Sequence, residues 1–164
     1  MRIIQTSIEI AASPSRVWEV LTDFPRHSEW NPFITSISGP LVPGEKLKVR
    51  IEPPGKGAMT FNPTVLVVEP GRELRWKGKV LVGGLFDGEH CFRLEQSARG
   101  TRLEQRERFT GMLVPLLSGA FGPTEQGFVA MNEQLKKRAE SWGSAMGGKR
   151  TLGRMKTPAV QAAT

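Results

Sequence analysis

Residues 3–10 alternate, with Ile4, Thr6, Ile8 and Ile10 on one face and Ile3, Gln5, Ser7 and Glu9 on the other. A period of two is that of a half-buried strand. The pattern then changes. Ser13 offers an N-cap, and Pro14 suits the first helical position, where a missing N–H costs nothing. Val17, Trp18, Val20 and Leu21 recur at helical spacing, which predicts a short helix ending near Thr22-Asp23, ahead of Pro25. A second short helical turn is expected from Pro25 to Trp30.

Strand patterns dominate the middle of the chain. Ile34 to Ser38 reads as a strand closed by Gly39-Pro40. Leu47, Val49 and Ile51 alternate with Lys46, Lys48 and Arg50 after the Pro43-Gly44 turn. Met59 to Val68 forms another strand, in which Pro63 signals an edge or a bulge. Beyond Pro70-Gly71, Leu74, Trp76 and Val80 alternate with charged residues. Phe86, His90, Phe92 and Leu94 share one face of the next strand. After Arg99-Gly100, Leu103, Gln105, Glu107 and Phe109 share one face of the last, with Arg102, Glu104, Arg106 and Arg108 opposite.

After Gly111 the period becomes helical over residues 112–141. Phe121, Phe128, Met131 and Leu135 form a stripe. Gly119, Gly122 and Gly127 weaken its first half, so the firm helix is expected from Pro123 to Trp142. The order is strand, two short helices, six strands, long helix. Successive hairpins imply an α+β domain in which the helix buries its stripe on one face of an antiparallel sheet.

Bulk properties narrow the class. A chain of 164 residues suits one domain, expected over residues 1–141. The net charge is +7, yet Lys149, Arg150, Arg154 and Lys156, with no acid, place four of those charges in residues 142–164. That segment reads as a basic, disordered tail. No apolar run approaches the ~20 residues of a membrane-spanning helix. No secretory signal is visible at Met1 to Thr6, and a cytoplasmic location is expected. Cys91 is the only cysteine, and the only histidines are His27 and His90. No metal site and no cofactor are expected.

Several stretches carry a resemblance. They are Ala12, Ser13, Pro14, Val17 and Trp18; Glu29-Trp30-Asn31-Pro32-Phe33; and residues 69–76, from Glu69 to Trp76. Gly100 to Leu103 and Glu107-Arg108-Phe109-Thr110-Gly111 complete the set. In this order they resemble the SRPBCC superfamily, the START-like or birch-pollen-allergen-like helix-grip proteins, and within it the polyketide cyclase/dehydrase-like branch. The resemblance covers residues 1 to 141. It implies a seven-stranded curved antiparallel sheet wrapped around a long C-terminal helix, two short helices after the first strand, and an apolar cavity between sheet and helix. Members bind lipids, sterols or polyketides, and some are cyclases, dehydratases, hydrolases or chaperone activators.

Strand parity then names candidate ligand contacts: Phe61, Val65, Trp76, Phe92 and Phe109 on the sheet, and Phe121, Phe128, Met131 and Leu135 on the helix. Phe33 is a further candidate contact, and Trp30 and Asn31 are expected to flank the cavity mouth; Asn31 would there hydrogen-bond a ligand carbonyl or cap a turn. Two polar residues share the inward parity. If the hairpin turn pairs Leu94 with Leu103, His90 lies opposite Glu107, about 5 Å apart at Cβ. Such a pair suits general acid–base chemistry near neutral pH, or forms an inert buried pair. The leading expectation is binding of a small hydrophobic lipid-, polyketide- or aromatic-like ligand. The alternatives are a metal-independent cyclase or dehydratase using His90 and Glu107, and a protein-interaction or chaperone-cofactor module. No specific nucleic-acid partner is expected, and oligomeric state stays open.

Overall fold

A computed structural model of the chain describes residues 1–80, 86–116 and 118–147. Strand β1 (Arg2–Ile10) leads into helix α1 (Pro14–Thr22), a 3₁₀ turn (Phe24–Arg26) and the single-turn helix α2 (His27–Trp30). Strands β2 (Ile34–Ser38), β3 (Lys48–Ile51), β4 (Met59–Phe61), β5 (Thr64–Glu69), β6 (Glu73–Val80), β7 (Phe86–Ser97) and β8 (Gly100–Thr110) follow. A second 3₁₀ turn (Ser118–Ala120) leads into helix α3 (Phe121–Gly147). Among the described residues no helix is long and apolar enough to cross a membrane.

The strands form an antiparallel five-stranded sheet, β1-β8-β7-β6-β5, and a three-stranded sheet, β2-β3-β4. Eight strands stand where the residue pattern predicts seven, because the Met59–Val68 stretch divides at Asn62-Pro63. Proline has no N–H for the ladder. Its carbonyl still accepts from Leu47 N at 2.9 Å, and a bridge between Lys46 and Thr64 stitches the two sheets along β5. Register shifts between Ile34 and Ser36 and between Val65 and Val67 mark bulges, which bend strands.

The β7–β8 hairpin fixes the register that matters most. Ser97 pairs with Gly100 across a two-residue loop, Leu94 with Leu103, and His90 with Glu107. Gly100 has φ +130, and a Cβ there would sit 2.5 Å from the Ile10 carbonyl oxygen, so only glycine fits this corner. On the outer face, Arg75 pairs with Glu73 and Glu89, and Arg108 pairs with Glu89.

Ser13 caps α1, its Oγ accepting from Arg16 N at 3.3 Å, with Pro14 in the first turn. The long helix buries Phe128, Met131, Leu135 and Ala139 against the sheet. Each large side chain contributes about 1.5–3 kcal/mol relative to exposure. That outweighs the loss of about 1 kcal/mol at each of the helical glycines Gly122 and Gly127. Asn132 Nδ2 donates to Thr6 Oγ1 at 2.9 Å, and Lys136 Nζ to the Glu9 carbonyl at 2.8 Å, fastening the helix to β1. Arg138 and Glu29 join it to α2. The helix continues past the expected end at Trp142, through Gly143, to Gly147. The tail expected over residues 142–164 lies outside the described residues from 148 onward.

Candidate functional site

The sheet is not uniformly filled. One half of the inward face, at the start of β7, the end of β8 and the end of β6, bounds a cavity of about 620 Å³. Its walls include Phe33 and Ile34 before and in β2, Val49 and Ile51 of β3, and Phe61 of β4. Trp76, Phe86, His90, Glu107 and Phe109 come from the large sheet. Ala120 of the second 3₁₀ turn and Phe121 and Thr124 at the start of α3 cover it. Trp76, His90, Ile34 and Val49 at one end are buried, whereas Met59, Thr60, Asn62, Lys79 and Ala120 at the other are exposed.

Two facing glycines border the space. Gly78 of β6 pairs directly with Gly88 of β7, and both line the cavity. They share inward parity with Trp76 and His90, so ordinary side chains at both positions would project into this volume. The Phe86 and Phe109 rings stack at 5.3 Å, and Phe109 meets Phe121 at 5.2 Å, giving the site an aromatic wall.

His90 forms the inner end. Its ring stacks on Trp76 at 5.1 Å between centroids with 13° between planes, and meets Phe92 at 4.5 Å and Phe128 at 5.0 Å. Nδ1 lies 3.4 Å from Glu107 Oε2, and Nε2 lies 3.2 Å from Gln105 Nε2. Both ring nitrogens are thus engaged, and the ring is only 4% exposed. Glu107 reaches the cavity itself. Its Oε1 lies over Gly88, where a Cβ would come within 2.6 Å of it.

Of the candidate contacts, Phe33, Phe61, Trp76, Phe109 and Phe121 line the cavity, as do His90 and Glu107. Val65, Phe92, Phe128, Met131 and Leu135 do not. They belong to the solid core, each at most 1% exposed. Parity identifies the inward face but not the depth along the strand at which packing against the helix closes the space. Gln105, also on that face, is fully buried beneath His90 and is the polar neighbour that residue type alone does not advertise.

Trp30 and Asn31 lie away from the cavity, beside a shallow surface cleft against Lys137 and Arg138 of α3. Asn31 acts as a cap. Its Oδ1 accepts from Phe33 N at 3.0 Å and Ile34 N at 2.8 Å, and its Nδ2 donates to His27 Nδ1 at 3.2 Å. His27 Nε2 donates to the Leu21 carbonyl at 2.8 Å. Burial lowers the His27 pKa below its ordinary value, opposed by that backbone hydrogen bond and by the Asp23 charge. These contacts fix the turn that delivers Phe33 to the cavity wall. The Phe33 ring in turn lies on Gly127 of α3, where a Cβ would be 2.2 Å from Cδ2.

Cys91 points to the opposite face of β7. Burial, and next the Glu73 carboxylate, push its thiol pKa up, which keeps it a thiol. Among the described residues no three His, Cys, Asp or Glu side chains are grouped to hold a metal ion.

The family described as polyketide cyclase / dehydrase and lipid transport matches residues 1–140. The chain belongs to this family. No curated protein matches it significantly. Among solved structures, the Zhui aromatase/cyclase from Streptomyces sp. R1128 is similar at a TM-score of 0.70 and 17% identity, over 89% of this chain and 98% of that one. Protein MLL2253 from Mesorhizobium loti aligns at a TM-score of 0.66 and 21% identity, over 83% of this chain and 95% of that one. Ara h 8.0201 aligns at 0.65 and 15% identity, over 85% of this chain and 98% of that one. At these identities the shared property is the helix-grip fold. The family match places the chain in the polyketide cyclase-like branch of that fold and leaves the choice of ligand to the residues of the cavity.

Proposed function

We propose that the protein binds a small, ring-containing apolar molecule between the sheet and the start of α3. The observation that carries this is a cavity of about 620 Å³ behind an aromatic wall, bordered by the facing Gly78 and Gly88. The volume falls within the roughly 300–1,000 Å³ range of small-molecule sites. Family membership supports the reading, since the family description joins cyclase, dehydrase and lipid-transport activities. The test is titration with the neutral dye N-phenyl-1-naphthylamine, alongside native mass spectrometry of the gently purified protein. One-to-one dye uptake with enhanced emission is expected. A protein that takes up no dye and carries no apolar molecule contradicts the proposal.

One observation favours catalysis as a second reading. Glu107 presents a carboxylate to the cavity with His90 behind it at 3.4 Å. A carboxylate held this way can accept a proton from a carbon or hydroxyl beside a carbonyl, the first step of a cyclisation or dehydration. In this reading Glu107 contacts the substrate and His90 positions it. Turnover of a poly-β-ketone substrate that is lost in Glu107→Gln, with binding kept, is the expected sign. Turnover unchanged in that variant removes it.

A further inference from the structure

The hydrogen bonds around His90 determine which ring nitrogen carries the proton. Nδ1 faces the Glu107 carboxylate, which only accepts. Nε2 faces the Gln105 side-chain nitrogen, which only donates. A neutral ring protonated at Nδ1 satisfies both. The second Gln105 hydrogen points to Met131 Sδ at 3.7 Å, and Gln105 Oε1 is buried without a partner. Turning the amide over would leave its two donors unmet in place of one acceptor, and the Met131 contact would be lost. The orientation with nitrogen towards His90 is therefore the better satisfied one.

His90 then has no free nitrogen to offer a ligand. Glu107 does have a free oxygen. Oε2 is held by His90, and among the described residues no donor reaches Oε1, which lies over Gly88 at the cavity wall. Gly88 and Phe109 lie beside that oxygen, and the cavity wall beyond them carries Phe86 and Trp76, with Thr60, Asn62, Lys79 and Thr124 as its other polar side chains. An ammonium group brings three donors to that single free oxygen. A hydroxyl has one.

We infer that Gln105, His90 and Glu107 form a relay that holds the Glu107 carboxylate as an acceptor in the cavity, selecting ring-bodied ligands that carry a phenolic or enolic hydroxyl. The inference rests on the cavity being a ligand site. Glu107 is the contact residue, and Gln105 and His90 are positioning residues that act through it.

Affinities of the intact protein for 2-naphthol and for 2-methoxynaphthalene, the same body without the donor, test the selection. A hydrogen bond to a charged acceptor predicts 2-naphthol tighter by about tenfold or more. Glu107→Leu should bring that ratio to about one. Equal affinities for the unmodified protein overturn the inference while leaving the cavity reading intact; if neither probe binds, the cavity reading fails as well. A second measurement needs no ligand and no variant. Nitrogen-15 NMR of the His90 ring should show Nδ1 protonated and Nε2 bare. In Gln105→Leu the Glu107 carboxylate still draws the proton to Nδ1, but the ring loses its second anchor, so the affinity ratio should fall. A ring protonated at Nε2 in the unmodified protein, or an affinity ratio unmoved by Gln105→Leu, overturns the relay.

Discussion

Glu107 lies directly over Gly88, its Oε1 occupying the place a Cβ on residue 88 would need. The contact is with the tip of a side chain, so an added methyl displaces the carboxylate, not the backbone. Gly88→Ala should therefore cost little stability, within about 1 kcal/mol, because alanine is no worse than glycine in a strand. It should weaken binding of 2-naphthol several-fold while leaving 2-methoxynaphthalene nearly unchanged. Paired titrations and a denaturation curve check both parts.

Gly78 offers the complementary change. A Cβ there would meet the Phe61 ring at 3.4 Å, a contact a small ring shift relieves. Gly78→Val places a β-branched side chain in a strand and fills part of the cavity. Stability should hold or rise by up to about 1 kcal/mol. Binding of either naphthalene probe should fall tenfold or more. A variant that binds as well as the unmodified protein would show that the ligand sits elsewhere.

Gly127 tests the wall from the helix side. In an open helix, Gly→Ala stabilises by about 1 kcal/mol. Here the new Cβ would drive into the Phe33 ring, whose Cδ2, Cε2 and Cγ all lie within 2.9 Å of it. Overpacking of this kind costs about 1–3 kcal/mol. Gly127→Ala should be destabilising in urea denaturation, and Phe33→Leu in the same chain should recover part of the loss.

His27 predicts a pH dependence. Its folded pKa is depressed by burial, while in the unfolded chain it titrates near pH 6.5. Below that value the unfolded chain takes up a proton that the folded protein resists, so stability is present above about pH 6.5 and declines as pH falls. Thermal melts at pH 7.5 and 5.5 should show a drop in Tm. His27→Gln should show a smaller one. An equal drop in the two proteins would assign the effect to other groups.

Much of this geometry is legible before any coordinates. The Ser13-Pro14 start of α1 follows from capping chemistry. The pairing of His90 with Glu107 follows from strand parity once the two-residue loop at Ala98-Arg99 sets the register. What stays hidden is depth. Phe92 and Trp76 have the same parity and the same aromatic character, yet one is core and the other cavity wall. The cavity is bordered by Gly78 and Gly88, which lack side chains, and a pattern built on apolar positions passes over them. Gln105 escapes for another reason: it does not titrate, so its role appears only once the His90 nitrogens are seen to be taken. Asn31 reads as ligand contact or, more readily, as cap, and its Oδ1 on Phe33 N and Ile34 N decides for the cap. The end of α3 is misplaced because Gly143 looks like a stop, whereas the helix runs through it to Gly147.

The most direct measurement is an NMR titration of the isotope-labelled protein with 2-naphthol. If the ligand enters between sheet and helix, saturable one-to-one shifts gather on the Gly78, Gly88 and Phe109 amides and the Trp76 indole. Shifts confined to the surface cleft at Trp30 and Lys137, or none at the two facing glycines, would contradict it.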